Sequence, residues 1–269
     1  MRQPSADIVL VTGCSSGIGR ATCDRLARKG AIVYGGSRSQ CAPEHWAYIP
    51  LDVTQADGVR AFVAEVLRRE GRITALVCCA GVGLAGALED TADDEARHHF
   101  ETNLFGTTRL IRAVLPTMRK QGFGKIIVIG SIGGLIGLPY VGYYSAAKFA
   151  LDGLVQALRG EIAQFGVQAT VVHPGDFHTA FGKRRIFARD AAHSAYADAF
   201  HKTLAFYAEK EEGAPIPDAV ATRITRLLSQ RTLPTRVVVG SPLERLGVFG
   251  KAILPGRPFE YLFRKAYSP

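Results

Sequence analysis

Short apolar runs rich in Val and Ile alternate along the chain with longer segments in which apolar residues recur at helical spacing. Asp7–Val11 is the first such run, and its continuous apolar character is typical of a strand buried on both faces. The strands predicted in this way are Asp7–Val11, Ala31–Gly35, Ala47–Leu51, Ala75–Val77, Lys125–Ile129, Gln168–Val172 and Arg236–Val239. The helices predicted between them run from Ile18 to Gly30, from a cap at Thr54 to about Gly71, from about Thr91 to Lys120, through Tyr144 and Lys148 to about Phe165, and from Asp218 to about Gln230.

The regular alternation of strands and helices, without consecutive hairpins, predicts the fold class. We expect an α/β protein with a single-domain, Rossmann-like, doubly wound parallel sheet and helices on both faces. Right-handed crossovers then place the carboxyl ends of the strands at one edge, where ligands bind in such folds. Residues 1–269 are interpreted as one domain, with a substrate lid over about 180–217 and a C-terminal tail over about 241–269, where the pattern loosens.

Composition excludes several classes of protein. Of the 269 residues, 47% are hydrophobic and 21% are charged, which is enough apolar material for a packed core. The five cysteines follow no disulfide or metal-ligand spacing, so we expect no metal and a reducing compartment. We find neither a long apolar run nor an apolar leader, and we therefore expect a cytoplasmic protein. The net charge of +9 comes without a nucleic-acid motif, so a nucleic-acid partner is not expected.

The tail combines apolar and basic residues, and three arrangements are open for it. It could pack over the substrate pocket, join a subunit interface or lie on a membrane, and we favour packing on the domain. Its apolar residues include Leu246, Val248, Phe249, Ile253, Leu254, Phe259, Tyr261, Leu262 and Phe263.

A glycine-rich turn lies between the first strand and the first helix. Gly13 permits a tight turn there, and Gly17 and Gly19 allow the backbone to approach a pyrophosphate. The spacing is G-x-x-x-G-x-G rather than the more familiar G-x-G-x-x-G. Its position directly after a buried strand predicts dinucleotide binding.

The end of the second strand indicates which dinucleotide is bound. NAD-binding forms usually carry an acidic residue here, which holds the ribose hydroxyls. This chain has Ser37 and Arg38 instead, and an arginine can bind a 2′-phosphate. We therefore predict NADP as the cofactor, with NAD as the alternative.

Tyr144 and Lys148 are four residues apart, so a helix projects both from one face. A free tyrosine has a pKa of about 10, and a neighbouring ammonium group lowers it by favouring the phenolate. The pair could therefore act as a general acid/base toward a carbonyl or alcohol oxygen.

Thr12–Gly19 and Tyr144–Lys148 together resemble the short-chain dehydrogenase/reductase family over about Asp7 to Thr179. Ser131 precedes Tyr144 by 13 residues (144 − 131), as the family's catalytic serine does, and Asn103 matches its helix asparagine. Asp52 and Val53 resemble the adenine-contacting pair, and the segment 174–179 resembles the nicotinamide-facing segment. The chain departs from the family at Cys78-Cys79-Ala80-Gly81, where Asn-Asn-Ala-Gly is usual.

The resemblance implies a role for each of these residues. Tyr144 would be the general acid/base, Lys148 would lower its pKa and bind the nicotinamide ribose, and Ser131 would orient the carbonyl. Asn103 would hold a water that relays protons from Lys148. The cofactor-binding residues implied are Gly13, Ser15, Ser16, Gly17, Ile18, Gly19, Ser37, Arg38, Asp52, Val53, Ala80, Gly81, Tyr144, Lys148, Pro174, Gly175 and Thr179. His98, His99, His173 and His178 show no metal-ligand spacing, and we place them at the surface or behind the site, with only His178 near the nicotinamide.

A fainter likeness to the hydroxysteroid and retinol dehydrogenase branch rests on Cys14 in the glycine loop and on the extended tail. It implies a small-molecule substrate that is a lipophilic ketone or alcohol, such as a steroid, a retinoid or a long-chain carbonyl. One alternative is a 3-oxoacyl thioester reductase that docks an acidic carrier on Lys183, Arg184 and Arg185. Another is a dinucleotide-sensing protein without turnover. The family resemblance also implies a homodimer or homotetramer.

Overall fold

The computed structural model describes residues 6–267, apart from the side chains of residues 266 and 267. Within them the strands are β1 (Ile8–Thr12), β2 (Ile32–Ser37), β3 (Ala47–Pro50), β4 (Ala75–Cys78), β5 (Leu84–Ala85), β6 (Gly124–Ile129), β7 (Val167–Pro174), β8 (Ile186–Phe187) and β9 (Arg236–Val239). Seven of them form a parallel sheet in the order β3-β2-β1-β4-β6-β7-β9. The first strand therefore lies inside the sheet, as its apolar sequence predicts.

Helices cover both faces of this sheet. They are α1 (Gly17–Arg28), α2 (Ala56–Glu70), α3 (Asp93–Phe100), α4 (Gly106–Gln121), α5 (Gly142–Ile162), α6 (Ala180–Lys183), α7 (Ala197–Glu212), α8 (Asp218–Ser229), α9 (Pro242–Ile253) and α10 (Gly256–Tyr267). Leu10 of β1 packs toward α2, α4 and α5, whereas its neighbours Val9 and Val11 pack toward α1 and α8. Alternate residues of a strand point to opposite faces, so one apolar run fills two core layers. The predicted doubly wound fold is confirmed.

Two local features differ from the sequence prediction. Thr54 does not cap α2, because its backbone N–H and its hydroxyl both donate to Asp52 Oδ1, at 2.9 and 2.8 Å, and Gln55 takes the cap position. The helix predicted over Thr91–Lys120 is also interrupted by a π-helical turn, Glu101–Phe105. Such turns are rare and occur often at functional sites. This one contains Asn103.

The lid and the tail carry structure that the sequence pattern did not predict. The strand β8 pairs with β5 beside the central sheet, and α7 follows it. In the tail, Phe259 is buried against Ile132 and Ile136, which follow β6. The tail therefore packs on the domain through one of its faces.

None of the helices within the described part of the chain is long and apolar enough to cross a membrane.

Candidate active site

The glycine loop connects β1 to α1 through very close backbone contacts. Gly13 has a φ of +69°, and a Cβ atom there would lie 2.9 Å from the backbone N of Ala80. A Cβ atom on Gly19 would lie 2.2 Å from the carbonyl oxygen of Gly13. Since neither position has room for a side chain, glycine lets the first turn of α1 sit directly against the loop. The unpaired N–H groups of that turn form a site suited to phosphate.

A cavity of about 430 Å³ lies at the carboxyl ends of the parallel strands, beside this loop. Its volume is in the range of ordinary small-molecule and cofactor sites. The sequence-predicted residues that line it are Gly13, Ser15, Ser16, Gly17, Ile18, Gly19, Ser37, Arg38, Asp52, Val53, Ala80, Gly81, Ser131, Tyr144, Lys148, Pro174, Gly175 and Thr179. The fold therefore brings together segments that are up to 166 residues apart in the chain (179 − 13).

Ser37 ends β2 at one side of the cavity, and Arg38 follows it. Ser37 is buried and its hydroxyl donates to the carbonyl of Ser39 at 2.8 Å, whereas Arg38 is exposed. Burial pushes the pKa of Asp52 upward, but hydrogen bonds from Thr54 and the positive charge of Arg38 lower it overall. Arg38 therefore adds positive potential to this side of the cavity.

Tyr144, Ser131 and Lys148 lie at the other side of the cavity. Lys148 is buried; its Nζ donates to the carbonyl of Ile129 at 2.9 Å and lies 5.7 Å from the centre of the Tyr144 ring. Burial raises the pKa of Tyr144, and the Ser131 hydroxyl opposes this shift by hydrogen bonding. Burial also lowers the pKa of Lys148 to about 8. The lowering of the tyrosine pKa expected from the sequence is thus absent, because desolvation of Tyr144 outweighs its charge partners.

Asn103 is fully buried in the π-helical turn and does not line the cavity. Its Nδ2 donates to the carbonyls of Val82 and His99, at 3.1 and 3.0 Å, and its Oδ1 accepts from the Val82 N–H. These bonds tie the turn to the segment after β4. A Cβ atom on Gly81 would lie 2.7 Å from Asn103 Oδ1 and 3.8 Å from Lys148 Nζ, so the two predicted side chains are close together.

The structure changes the histidine predictions. His178 is exposed and is absent from the cavity lining, so the expectation that it lies near the nicotinamide is wrong. His99 is buried instead, with its Nε2 3.1 Å from the Val82 carbonyl oxygen and its ring edge-to-face with Tyr144 at 6.1 Å. Burial lowers the pKa of His99 to about 4, so the ring is neutral at physiological pH. The sequence did not predict this contact between His99 and Tyr144, because a single histidine in an amphipathic helix produces no recognisable pattern.

Cys78 and Cys79 occupy the place where the family usually has two asparagines. Cys78 is buried in β4, and Cys79 is half-buried at the cavity wall. Burial raises the pKa of the Cys78 thiol to about 12 and also raises that of Cys79, so both are neutral. The N–H groups of Cys79 and Ala80 both donate to Thr12 Oγ1 at 3.2 Å, and this part of the backbone is therefore held without asparagine amides.

An acidic group lies at the lid end of the cavity, and of its three carboxylates only Asp176 belongs to a segment indicated by the sequence, 174–179. Asp176, Glu211 and Glu244 line this end together with Arg185, which pairs with Glu211 at 2.5 Å. Burial raises the pKa of Asp176 to about 6, and the nearby Glu244 carboxylate contributes. Glu244 comes from α9 and accepts the Asp176 N–H at 2.7 Å. The tail thus supplies a cavity residue that its loosened pattern did not reveal.

The basic cluster near residue 183 does not form one surface. Arg184 lines the cavity with its Nη1 3.4 Å from Ser16 Oγ, whereas Arg185 is held by Glu211. Arg189 pairs with Asp94 and Glu95 on α3. Most of these basic side chains therefore form hydrogen bonds or ion pairs within the chain.

The fold and the cavity together define a doubly wound α/β protein with a nucleotide-type site at the carboxyl edge of its sheet. The short chain dehydrogenase family model matches residues 7–188. The chain belongs to the short-chain dehydrogenase/reductase family of oxidoreductases, as its motifs predicted.

Two named relatives match much of the chain. The 3-ketodihydrosphingosine reductase of Bacteroides thetaiotaomicron is 37% identical over 263 residues, which cover 97% of this chain and 98% of the relative. The 17-beta-hydroxysteroid dehydrogenase type 1 of Homo sapiens is 38% identical over 191 residues, which cover 65% of this chain and 58% of the relative. These two relatives thus include one lipid enzyme and one steroid enzyme.

Solved structures support the same fold. A short-chain dehydrogenase from Streptomyces avermitilis has a TM-score of 0.84 and 33% identity, covering 98% of this chain and 99% of its own. An alcohol dehydrogenase from Thermococcus sibiricus, complexed with 5-hydroxy-NADP, has a TM-score of 0.71 and 26% identity, covering 87% and 96%.

Proposed function

We propose that this protein transfers a hydride between NADP(H) and a lipophilic ketone or alcohol. The observation that carries the proposal is that one cavity joins the glycine loop to Tyr144, Ser131 and Lys148. The nicotinamide supplies the hydride chemistry when it is bound, and the protein supplies placement and proton transfer.

The lining residues fit a dinucleotide of this kind. The first turn of α1 would hold the pyrophosphate, and Asp52 and Val53 would contact the adenine. Arg38 and Ser37 would bind the 2′-phosphate, which favours NADP over NAD because the end of β2 carries no carboxylate to repel it. The structural relative from Thermococcus sibiricus, complexed with 5-hydroxy-NADP, supports this choice. The nicotinamide end would lie against Ala80, Gly81, Pro174, Gly175 and Thr179.

Proton transfer is assigned to the side chains at the other end of the cavity. Tyr144 would donate its proton to the carbonyl oxygen during reduction, since its raised pKa keeps it protonated at neutral pH. Ser131 would donate a hydrogen bond to the same oxygen as negative charge develops there. Lys148 would then return a proton to the Tyr144 phenolate, because its pKa of about 8 suits proton exchange near neutral pH. Asn103 would keep the π-helical turn and the route from Lys148 in place.

Among lipophilic substrates we favour a long-chain ketone over a steroid. The 3-ketodihydrosphingosine reductase matches this chain through the lid and the tail, whereas the steroid enzyme matches only 65% of it. Because 3-ketodihydrosphingosine is an amino ketone, an ammonium group beside the reacting carbonyl would suit the carboxylates of Asp176 and Glu244. Leu138, Val141 and Phe181 give the same end of the cavity an apolar lining.

The acidic-carrier alternative finds less support. It needs Lys183, Arg184 and Arg185 on one accessible surface, but Arg184 and Arg185 both line the cavity. Lys183 and Arg184 are exposed, but a carrier would meet Arg185 already paired with Glu211.

We also propose that the protein forms a homodimer or homotetramer through the helices near Asn103 and Tyr144. Phe105, which precedes α4, and Phe149 of α5 are 48% and 43% exposed. Burying them against a second copy would remove apolar surface from water.

Replacing Arg38 by alanine tests the cofactor assignment. We expect wild-type protein to bind NADPH more tightly than NADH, and the variant to lose about 10- to 100-fold of its NADPH affinity, since one charge-assisted contact of about 1.5–3 kcal/mol is removed. Fluorescence titration with both cofactors measures this. Arg97→Ala, which removes an exposed arginine on α3, is the control and should bind both cofactors like wild type. Equal affinity of the wild type for NADH would contradict the assignment.

A further inference from the structure

The tail helix α9 carries its large apolar residues on the side that faces water. Leu243, Leu246, Phe249 and Ile253 are 74%, 62%, 60% and 61% exposed. Their spacing of three or four residues places them along one stripe of the helix. A surface helix of a soluble protein normally shows the opposite arrangement, so this stripe is unexplained by the fold itself.

The contacts of the opposite side of α9 fix its orientation. Ser241 and Glu244 form a capping box at its start, and Glu244 also accepts the Asp176 N–H. Farther along, Val248 packs against the cluster of Ile132, Ile136 and Phe259. The outward stripe therefore belongs to a helix that is docked through its other side.

The helix α10 continues this surface. Phe259 and Phe263 face inward and stack with their centroids 5.9 Å apart, whereas Tyr261 and Leu262 are 60% and 55% exposed. The tail therefore has two amphipathic helices whose outer sides are apolar. We call the six exposed residues the tail face: Leu243, Leu246, Phe249, Ile253, Tyr261 and Leu262.

The charges around the tail face identify its partner. Residues 241–267 carry five basic side chains against two acidic ones, and one of the acidic ones, Glu244, points into the cavity. The basic residues are Arg245, Lys251, Arg257, Arg264 and Lys265. A second tail packed against this face would bring the five basic side chains of each copy together, whereas an anionic bilayer offers the opposite charge and an apolar interior.

We propose that α9 and α10 dock the protein on the surface of an anionic lipid bilayer. The apolar side chains of the tail face enter the boundary between headgroups and acyl chains, and the basic side chains contact lipid phosphates. Because Glu244 of α9 lines the cavity, the docked helix lies next to the active site. A lipophilic substrate dissolved in the membrane would then reach the cavity without crossing much water.

Vesicle flotation tests this proposal with the full chain. We expect wild-type protein to float with phosphatidylcholine vesicles that contain about 30% phosphatidylglycerol, and to float less with pure phosphatidylcholine or at high salt. The variant Leu246→Ser/Phe249→Ser/Ile253→Ser should bind the anionic vesicles at least about ten-fold more weakly, since three apolar anchors are lost. Its circular dichroism spectrum and NADPH affinity should match those of wild type.

The matched control is Leu88→Ser/Phe123→Ser/Ile216→Ser, which removes three exposed apolar residues outside the tail. It should float like wild type. The proposal is overturned if wild-type protein stays with the unbound fraction, or if the tail variant floats as well as the control. A third result would also overturn it: wild-type protein does not bind vesicles, and the tail variant sediments as a monomer where wild type sediments as an oligomer. The tail face would then be a subunit interface.

Discussion

Replacing Tyr144 by phenylalanine is expected to lower kcat for carbonyl reduction by about 10²- to 10⁴-fold, the usual range for loss of a general acid. The variant removes only the hydroxyl oxygen, so the ring keeps its contacts with His99 and Phe181. NADPH affinity should change little, and steady-state kinetics together with fluorescence titration would separate the two effects.

Tyr143→Phe is the matched control for this prediction. Tyr143 is the preceding residue on α5, is also partly buried, and is absent from the cavity lining. We expect its loss of hydroxyl to leave kcat within about two-fold of wild type, as a surface substitution without a catalytic role would. Comparable activity of Tyr144→Phe and Tyr143→Phe would show that Tyr144 is not the acid.

Replacing Ser131 by alanine is expected to lower kcat by about 10²- to 10³-fold, because a fixed donor to the developing oxyanion is lost. KM should change less, since the interaction strengthens in the transition state. The substitution also has a structural effect: Ser131 Oγ accepts the Gly133 N–H at 3.0 Å, and its loss should cost about 1 kcal/mol of stability.

Ser145→Ala separates the structural effect from the catalytic one. Ser145 is buried on α5, next to Tyr144, and its Oγ accepts the Leu138 N–H at 3.2 Å, but it does not line the cavity. Chemical denaturation should find a similar loss of stability in both variants, whereas only Ser131→Ala should lose activity. If Ser145→Ala loses as much activity as Ser131→Ala, the assigned role of Ser131 is wrong.

The central sheet was predictable because its strands are buried on both faces. Runs such as Asp7–Val11 and Lys125–Ile129 contribute side chains to two core layers at once. Nearly every position in them must therefore be apolar, which gives a strong hydrophobic pattern in the sequence. Boundaries were less accurate: β2 extends to Ser37, two residues beyond the predicted end at Gly35. Pairing with β1 and β3 continues through Gly36 and Ser37, and these contacts are invisible in the local sequence.

The candidate site was likewise predictable from the sequence only in part. The glycine loop and the Tyr144–Lys148 spacing are local features, and the residues that they indicate line the cavity. Asp176, Glu211 and Glu244 reach the lid end of the cavity from a loop, the lid and the tail. The two-residue strands β5 and β8 that hold the lid are too short to produce a periodic pattern.

Charge effects in the site also depended on tertiary structure. The sequence places an ammonium group near Tyr144, and from that alone a lowered tyrosine pKa follows. Burial dominates instead, and it raises the pKa of Tyr144 while it lowers that of Lys148. Desolvation is set by the whole fold around a residue, so no local motif reports it.

Single-turnover reaction of the enzyme–NADPH complex with a long-chain amino ketone is the measurement that tests the proposed function most directly. We expect 3-ketodihydrosphingosine to consume the bound NADPH stoichiometrically in a stopped-flow instrument, and to react faster than a steroid ketone. A faster reaction with the steroid would reverse the substrate order. Tight NADPH binding without oxidation by any carbonyl compound would contradict the enzymatic assignment and favour a dinucleotide-sensing protein.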